Sequence, residues 1–146
     1  MLSLIKETQP FQAPMNYSSA LTFRLPRPST SRRNAIVGEE EEVLEIEYSI
    51  DWTKQAIFNV FLYLPQARWD VTSIGCPEFA GYFETDPHVG QSPNIPRRLV
   101  FRAGLRQKLK DLGRESLSHI VVTLVGPNAA QQTLAVTNAR VTYLSS

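Results

Sequence analysis

Apolar and polar side chains alternate strictly over residues 44–50. A period of two is typical of a β-strand with one buried face and one solvated face, so this segment predicts such a strand. Residues 57–64 are instead apolar at nearly every position and are stopped by Pro65. Because they are also rich in aromatic and β-branched side chains, they predict a central strand that is covered on both faces.

Further short strands are predicted along the rest of the chain, at residues 19–25, 79–84, 99–102, 119–125 and 133–143. Proline and glycine residues separate them, which is typical of an all-β sandwich or barrel. One interruption is helical: Leu105, Leu109 and Leu112 have i, i+4, i+7 spacing, and Gly113 can cap the helix end.

These elements predict an all-β fold, an antiparallel, jelly-roll-like β-sandwich with one short helix and an extended N-terminal arm. The arm and linker are assigned to residues 1–38 and include the first predicted strand; the sandwich domain is assigned to residues 39–146. A chain of 146 residues with 42% hydrophobic residues can bury one core but not a second full domain.

Charge is distributed unevenly, although the formal net charge is only +1. Residues 1–38 carry five basic side chains against Glu7 alone, and four consecutive glutamates follow at residues 39–42. We interpret the basic segment as a solvated arm that balances the acidic run; an arm that docks on an acidic partner is the alternative. The near-neutral total supports neither bulk nucleic-acid binding nor membrane-surface binding.

No combination of residues predicts catalysis or a cofactor. A type-3 dicopper centre needs six histidine ligands, whereas this chain has only His88 and His119, which we interpret as structural. No motif activates the single cysteine, Cys76. Glu45 and Glu47 share a strand face that we interpret as solvated. We also expect a solvated helix face, not nucleic-acid binding, from the basic cluster Arg97, Arg98, Arg102, Arg106, Lys108, Lys110 and Arg114.

No run of 18 to 20 apolar residues is present, so we expect no membrane insertion. Residues 1–20 lack the uninterrupted apolar segment of a secretory signal, and a cytoplasmic location is therefore favoured. A plastid transit peptide is the alternative, because residues 18–33 are rich in serine and arginine and contain no acidic residue.

Three ordered segments, EEEEVLEIEYSI, IFNVFLY and EFAGYFETDPH, followed by IVVTLV, resemble the C-terminal β-domain of plant-type polyphenol oxidases. The resemblance extends over residues 27–144. IFNVFLY occupies the place of the family's Lys-Phe-Asp-Val motif, in which Ile57 and Asn59 replace the lysine and the aspartate. The residues that match the family pattern are Phe58, Val60, Phe79, Ala80, Gly81, Phe83, Pro87 and His88.

The resemblance implies a non-catalytic accessory or covering subunit, without its own cofactor, that shields or regulates a type-3 copper catalytic domain. The partner is then a protein, a dicopper oxidase domain. Exposed aromatic groups make effective interface anchors, and the candidates are Trp69, Tyr82 and Trp52; that Trp52 and Tyr82 complete the core is the alternative. A scaffold β-sandwich of a larger assembly and a small-ligand-binding sandwich remain open as other functions.

Overall fold

The computed structural model describes residues 21–28, 40–51, 56–85, 96–127 and 134–145. The strands in these ranges are β1 (Leu21–Pro26), β2 (Glu40–Asp51), β3 (Ala56–Leu62), β4 (Phe79–Thr85), β5 (Pro96–Gly104), β6 (His119–Val125) and β7 (Leu134–Ser145). The helix α1 (Arg106–Asp111) lies between β5 and β6. Residues 1–20 and 29–38 of the predicted arm and linker lie outside the described residues, as do Trp52, Pro87 and His88.

The described strands form two antiparallel sheets. One has four strands in the order β1-β6-β3-β4, and the other has three strands in the order β5-β2-β7. The central strands are therefore β6 and β3 in the first sheet and β2 in the second. β3 and β6 are strongly apolar, because a central strand loses solvent on both edges as well as on its inner face, whereas β2 alternates acidic and apolar side chains.

The core lies between the sheets, where Phe83 of β4 joins both layers. Its ring lies 5.2 Å from that of Phe58 in the same sheet, and 4.3 Å from Tyr48 and 5.7 Å from Phe101 in the opposite sheet. Burial raises the pKa of Tyr48 to about 12. Both sheets and α1 contribute to one cluster: Phe23, Leu25, Leu44, Ile46, Tyr48, Phe58, Val60, Leu62, Phe83, Phe101, Leu105, Leu109, Ile120, Val122, Leu124, Val136, Ala139 and Val141.

This architecture confirms the all-β sandwich and the short helix expected from the sequence. The expected double coverage of β3 is also confirmed, because Phe58, Val60 and Leu62 enter the central core while Phe61 packs on the opposite face. The strand expected at residues 19–25 is β1, which pairs along its length with β6. The division at residue 39 between arm and sandwich stays a prediction.

A buried ion pair joins the two sheets at one end of the sandwich. Arg27, just after β1, donates from Nε and Nη2 to the two carboxylate oxygens of Glu42 in β2, at 2.7 and 2.8 Å. Its Nη1 donates to the carbonyls of Glu115 and Leu117 at 2.8 and 2.6 Å. The hydrogen bonds to Glu42 raise the pKa of Arg27 and outweigh the opposing effect of burial.

The solvated interpretation of the basic arm and the acidic run is therefore wrong for Arg27 and Glu42. Their side chains are only 5% and 2% exposed. A buried charge persists only where its partner and its hydrogen bonds replace the lost water. The bidentate geometry and the two carbonyl acceptors provide that replacement, so this pair is a structural element of the sandwich.

The outer face of the three-stranded sheet also differs from the expected solvated surface. Glu45 of β2 lies between Arg102 of β5 and Arg140 of β7, to which it is directly paired in register. Both arginines donate to its carboxylate, Arg102 from Nε at 2.7 Å and Arg140 from Nη2. Glu45 is consequently almost fully buried, whereas Glu47 is half-buried and accepts from Asn138 at 3.1 Å.

Replacing Arg27 with methionine is expected to destabilise the fold by about 3–5 kcal/mol, because it leaves the Glu42 carboxylate buried without a partner. Urea unfolding measures the loss. The exposed Arg106 is the matched control, and Arg106→Met should change stability by no more than about 0.5 kcal/mol. A double Arg27→Met/Glu42→Leu variant should regain part of the loss; a fully stable Arg27→Met variant would contradict the assignment.

The free energy of unfolding should depend on pH through the ionisation of Glu45. Burial tends to raise the pKa of Glu45, but the hydrogen bonds and charges of Arg102 and Arg140 outweigh it and hold the pKa below its ordinary 4.5. The stabilisation is therefore present above that value and is lost as the pH falls through the lowered pKa. Glu45→Gln should cost about 1 kcal/mol at neutral pH, since both arginines are half-exposed.

Unfolding of both proteins across the acid range tests this expectation. The difference between wild type and Glu45→Gln should narrow as the pH falls below the ordinary glutamate value of 4.5. The same substitution at the exposed Glu84 of β4 is the control for a general loss of charge. A difference that is constant with pH would show that Glu45 acts through packing alone.

Candidate docking surface

The segment between β3 and β4, residues 63–78, is a compact loop that we call the β3–β4 loop. Its ends are joined where the Leu62 amide donates to the carbonyl of Glu78 at 2.8 Å. Turns inside it are held by backbone bonds from Ala67 to Leu64 and from Cys76 to Ser73, at 3.1 and 3.3 Å. Close ends and internal packing define an Ω-loop, a type of loop that is frequently functional.

The underside of the β3–β4 loop packs on the outer face of the four-stranded sheet. Ala67 is fully buried there with Phe61 of β3 and Val125 of β6, and Leu64, Trp69, Cys76 and Phe79 pack against them. Phe61 and Phe79 meet edge to face at 5.6 Å between ring centroids. This second apolar cluster anchors the loop independently of the central core.

The tip of the same loop presents apolar side chains to solvent. Val71 is 77% exposed and Ile74 is 60% exposed, the two highest values among the large hydrophobic residues of the described ranges apart from Tyr82. Sequence reasoning missed both residues, because isolated apolar positions in a Thr/Ser/Gly-containing loop show no periodicity. Two features of the sequence could have indicated them: the length of the segment between the predicted strands, and the presence in it of two β-branched residues that fit no strand pattern.

The β3–β4 loop begins with an unusual backbone conformation at Tyr63, whose φ is 57°. A bulky residue in the left-handed region costs roughly 1–3 kcal/mol unless the surroundings hold it there. Its amide donates to the Val121 carbonyl at 2.8 Å and its hydroxyl donates to the His119 carbonyl at 2.5 Å. Burial raises the pKa of Tyr63, while the charges of Arg27 and Arg114 oppose that rise.

The three aromatic candidates predicted as partner anchors have different surroundings. Trp69 lies in the β3–β4 loop, half-buried against the second apolar cluster. Tyr82 is 61% exposed on β4, so the alternative that it completes the core is wrong. Trp52 lies outside the described residues. The structure therefore leaves Trp69 and Tyr82 available for contact, and their role as anchors stays a prediction.

The residues that carry the family resemblance are mainly core residues. Phe58, Val60 and Phe83 are buried in the central cluster, with Ala80 packed against it, and Phe79 belongs to the second cluster. Gly81 has a φ of 143°, and a Cβ there would lie 3.2 Å from the ring of Phe101. This motif therefore specifies how β3 and β4 pack, and the exposed surface lies elsewhere.

Among the described residues, Cys76 and His119 are the groups whose chemistry could have suggested a reactive site. Over residues 21–28, 40–51, 56–85, 96–127 and 134–145, no cluster of three or more His, Cys, Asp or Glu side chains could hold a metal ion. Cys76 is half-buried on the underside of the β3–β4 loop, packed against the second apolar cluster. His119 lies beside Arg24 and Ser118, with its Nδ1 atom 3.3 and 2.9 Å from Nη2 and Oγ respectively. Helices of the described ranges are too short or too polar to span a membrane.

The predicted basic cluster is divided among three elements. Arg98 and Arg102 are exposed on β5, Arg106 and Lys110 on α1, and Arg114 in the following loop. Arg102 donates a hydrogen bond to the carboxylate of Glu45, and the guanidinium of Arg114 lies over the Tyr63 ring, 4.8 Å from its centroid. Arg102 and Arg114 thus make contacts within the sandwich, so the interpretation of the cluster as a solvated helix face was incomplete for these two residues.

A family model for the chloroplastic polyphenol oxidase C-terminal domain matches residues 13–143. The chain belongs to this family. Polyphenol oxidase E of Solanum lycopersicum is 31% identical to it over 124 residues, which are 84% of this chain and 21% of that enzyme. Catechol oxidase B of Solanum tuberosum is 33% identical over 108 residues, 73% of this chain and 18% of the enzyme.

Solved structures of the same family share this polyphenol oxidase C-terminal fold. A recombinant latent aurone synthase, a polyphenol oxidase, has a TM-score of 0.70 at 25% identity over 97% of this chain and 28% of its own. A latent apple tyrosinase has a TM-score of 0.68 at 23% identity over 96% of this chain and 29% of its own, a likeness of fold alone. The chain thus spans about a fifth to a third of these relatives and matches their C-terminal domain, which is not the catalytic copper domain.

The cytoplasmic location favoured by the sequence is wrong by this comparison. Polyphenol oxidase E, catechol oxidase B and the (+)-larreatricin hydroxylase of Larrea tridentata are all chloroplastic proteins. The absence of a secretory pattern did not discriminate between cytoplasm and plastid, because transit peptides are defined by composition and not by an apolar run. The relatives point to the plastid.

Substitution of Gly81 tests whether the family motif is a packing motif. Gly81→Ala should destabilise the fold by about 1–3 kcal/mol, because its φ of 143° is strained for any side chain and the new Cβ would press on Phe101. Gly75, whose added Cβ would meet only a serine hydroxyl at 3.3 Å, is the control. Equal thermal stabilities of Gly81→Ala and Gly75→Ala would contradict the assignment.

Proposed function

We propose that this C-terminal domain is a non-catalytic covering module that docks on the copper-containing domain of a polyphenol oxidase and limits access to it. The observation that carries the proposal is the β3–β4 loop, which is anchored by apolar packing below and exposes Val71 and Ile74 above. The family assignment indicates the partner, because the matched relatives are longer enzymes of which this domain is one part.

The exposed pair suits a surface that is covered part of the time. Two β-branched side chains at 77% and 60% exposure leave apolar area in water, which is unfavourable by roughly 25 cal/mol per Å². Contact with an apolar rim of another domain removes that cost. The Val71 and Ile74 side chains exclude water and polar substrates with little electrostatic penalty, since neither carries a charge that must be desolvated.

Docking of a preformed loop is favourable because little conformational entropy is lost on binding. The β3–β4 loop has its ends joined, its turns hydrogen-bonded and its underside packed, so the ordering cost is largely met during folding. If both domains belong to one polypeptide, the linker supplies a high effective concentration; if they are separate, the interface alone sets the affinity. The word latent in the names of the solved relatives agrees with a covering role.

The same proposal places this domain in the plastid, where its chloroplastic relatives reside. A copper-domain partner would have to be in the same compartment. Fluorescence of the complete gene product fused to a reporter tests this location. A signal confined to the cytoplasm would remove the chloroplastic enzymes as partners and would favour the scaffold alternative.

The direct test uses the copper domain of potato catechol oxidase B, prepared without its own C-terminal domain. The 146-residue chain is titrated into this domain while the initial rate of catechol oxidation is followed. Saturable inhibition, relieved by proteolysis of the added chain, is the expected result. Full activity at all chain concentrations, together with no complex in size-exclusion chromatography, would overturn the covering function.

A Val71→Asp/Ile74→Asp double variant is expected to weaken binding to the copper domain at least tenfold, because two carboxylates would have to be desolvated at the contact. Its unfolding free energy should change little, since both positions are exposed. Val100→Asp is the matched control: Val100 is 43% exposed but lies on the outer face of the other sheet. Equal loss of affinity in both variants would show that general charge, not the loop, is responsible.

A further inference from the structure

Tyr63 stands out because an energetically unfavourable backbone conformation is combined with several precise contacts. It is the only residue other than glycine with a positive φ in the ranges that the structure describes. Its amide and hydroxyl both donate to carbonyls at the start of β6, at Val121 and His119. Such conformations persist only where surrounding contacts enforce them, and they are concentrated at functional segments.

The Tyr63 side chain also connects the β3–β4 loop to the loop that follows α1. The guanidinium of Arg114 lies over its ring at 4.8 Å, within cation–π range. Arg114 is held in turn by its amide, which donates to the Leu109 carbonyl at 2.9 Å, and Leu109 is buried in the core. The first residue of the β3–β4 loop is therefore fixed from two directions, by β6 and by the Arg114 side chain, whose own backbone is held by α1.

The far end of the loop has a matching but weaker attachment. Lys108 of α1 donates from Nζ to the Pro77 carbonyl at 2.9 Å, in an exposed position. Both ends of the loop thus contact α1 or the segment that follows it. The helix itself has only six residues. The Lys108 contact is exposed to water, so it holds its end of the loop only weakly. The direction in which the chain leaves β3 is therefore set by the Tyr63 contacts.

We infer that Tyr63 is a positioning residue, which fixes the β3–β4 loop in the shape that presents Val71 and Ile74 for docking, without itself touching the partner. This inference rests on the proposed covering function. Tyr63 lies at the base of the loop, half-buried, whereas the exposed pair lies 8 and 11 residues further along the chain. Loss of its contacts is predicted to loosen the loop and to lower affinity, while the surface that meets the partner stays chemically unchanged.

Hydrogen exchange of the intact chain tests the positioning role without any partner. Tyr63→Phe removes only the hydroxyl bond to His119, and Tyr63→Asn also removes the ring while tolerating the left-handed backbone. Exchange of peptides from the β3–β4 loop should rise roughly three- to tenfold in Tyr63→Phe, and further in Tyr63→Asn. Tyr48→Phe, which removes the same atom from a buried tyrosine in the other sheet, should leave loop exchange unchanged.

Affinity for the copper domain of catechol oxidase B is then measured with the same variants. Faster loop exchange with at least threefold weaker binding in Tyr63→Asn supports the inference. Unchanged exchange in both variants overturns it, whatever the binding result, and faster exchange with unchanged affinity overturns the link between loop order and docking. If the wild-type chain does not bind the copper domain, the covering function fails, and with it the docking role, while exchange alone still shows whether Tyr63 orders the loop.

Discussion

The buried pair of Arg27 and Glu42 is the constraint on which one whole end of this molecule depends. It joins β1 of one sheet to β2 of the other, and through two carbonyls it also holds the segment before β6. Both charges act on the Tyr63 hydroxyl group, so the pair lies beside the base of the β3–β4 loop. An apolar core alone could slide or twist, whereas a bidentate ion pair without solvent has one favourable geometry.

The residues that stabilise the fold and the residues of the proposed docking surface belong to different parts of this domain. The residues that carry the family resemblance, such as Phe58, Val60 and Phe83, pack between the sheets and are withdrawn from any partner. The exposed apolar side chains belong to a loop that rests on a second, smaller cluster around Phe61 and Val125. The tip of the loop can therefore vary without loss of the sandwich, which is how a rigid scaffold normally carries a binding loop.

The two ion-pair sites have different physical roles. Arg27 and Glu42 are both excluded from solvent, so their geometry is strongly enforced. Glu45 is buried, but its partners Arg102 and Arg140 are half-exposed, and water screens part of their attraction. The first site fixes the relative position of the two sheets; the second ties the three strands of one sheet together across their outer face. Neither site places a charge at the tip of the β3–β4 loop.

Periodicity and breakers in the sequence determined the strands, the short helix and the central position of β3, because each depends on neighbours within a few residues. The family was indicated by a resemblance, the order of four segments along the chain. Only the tertiary structure decided three other features. These are the partners of Glu42 and Glu45, the left-handed backbone conformation of Tyr63, and the exposure of Val71 and Ile74. Arg140 and Glu45 are 95 residues apart in the chain and Tyr63 and His119 are 56 apart. Local patterns carry no record of such contacts, since only the pairing of sheets brings these groups together.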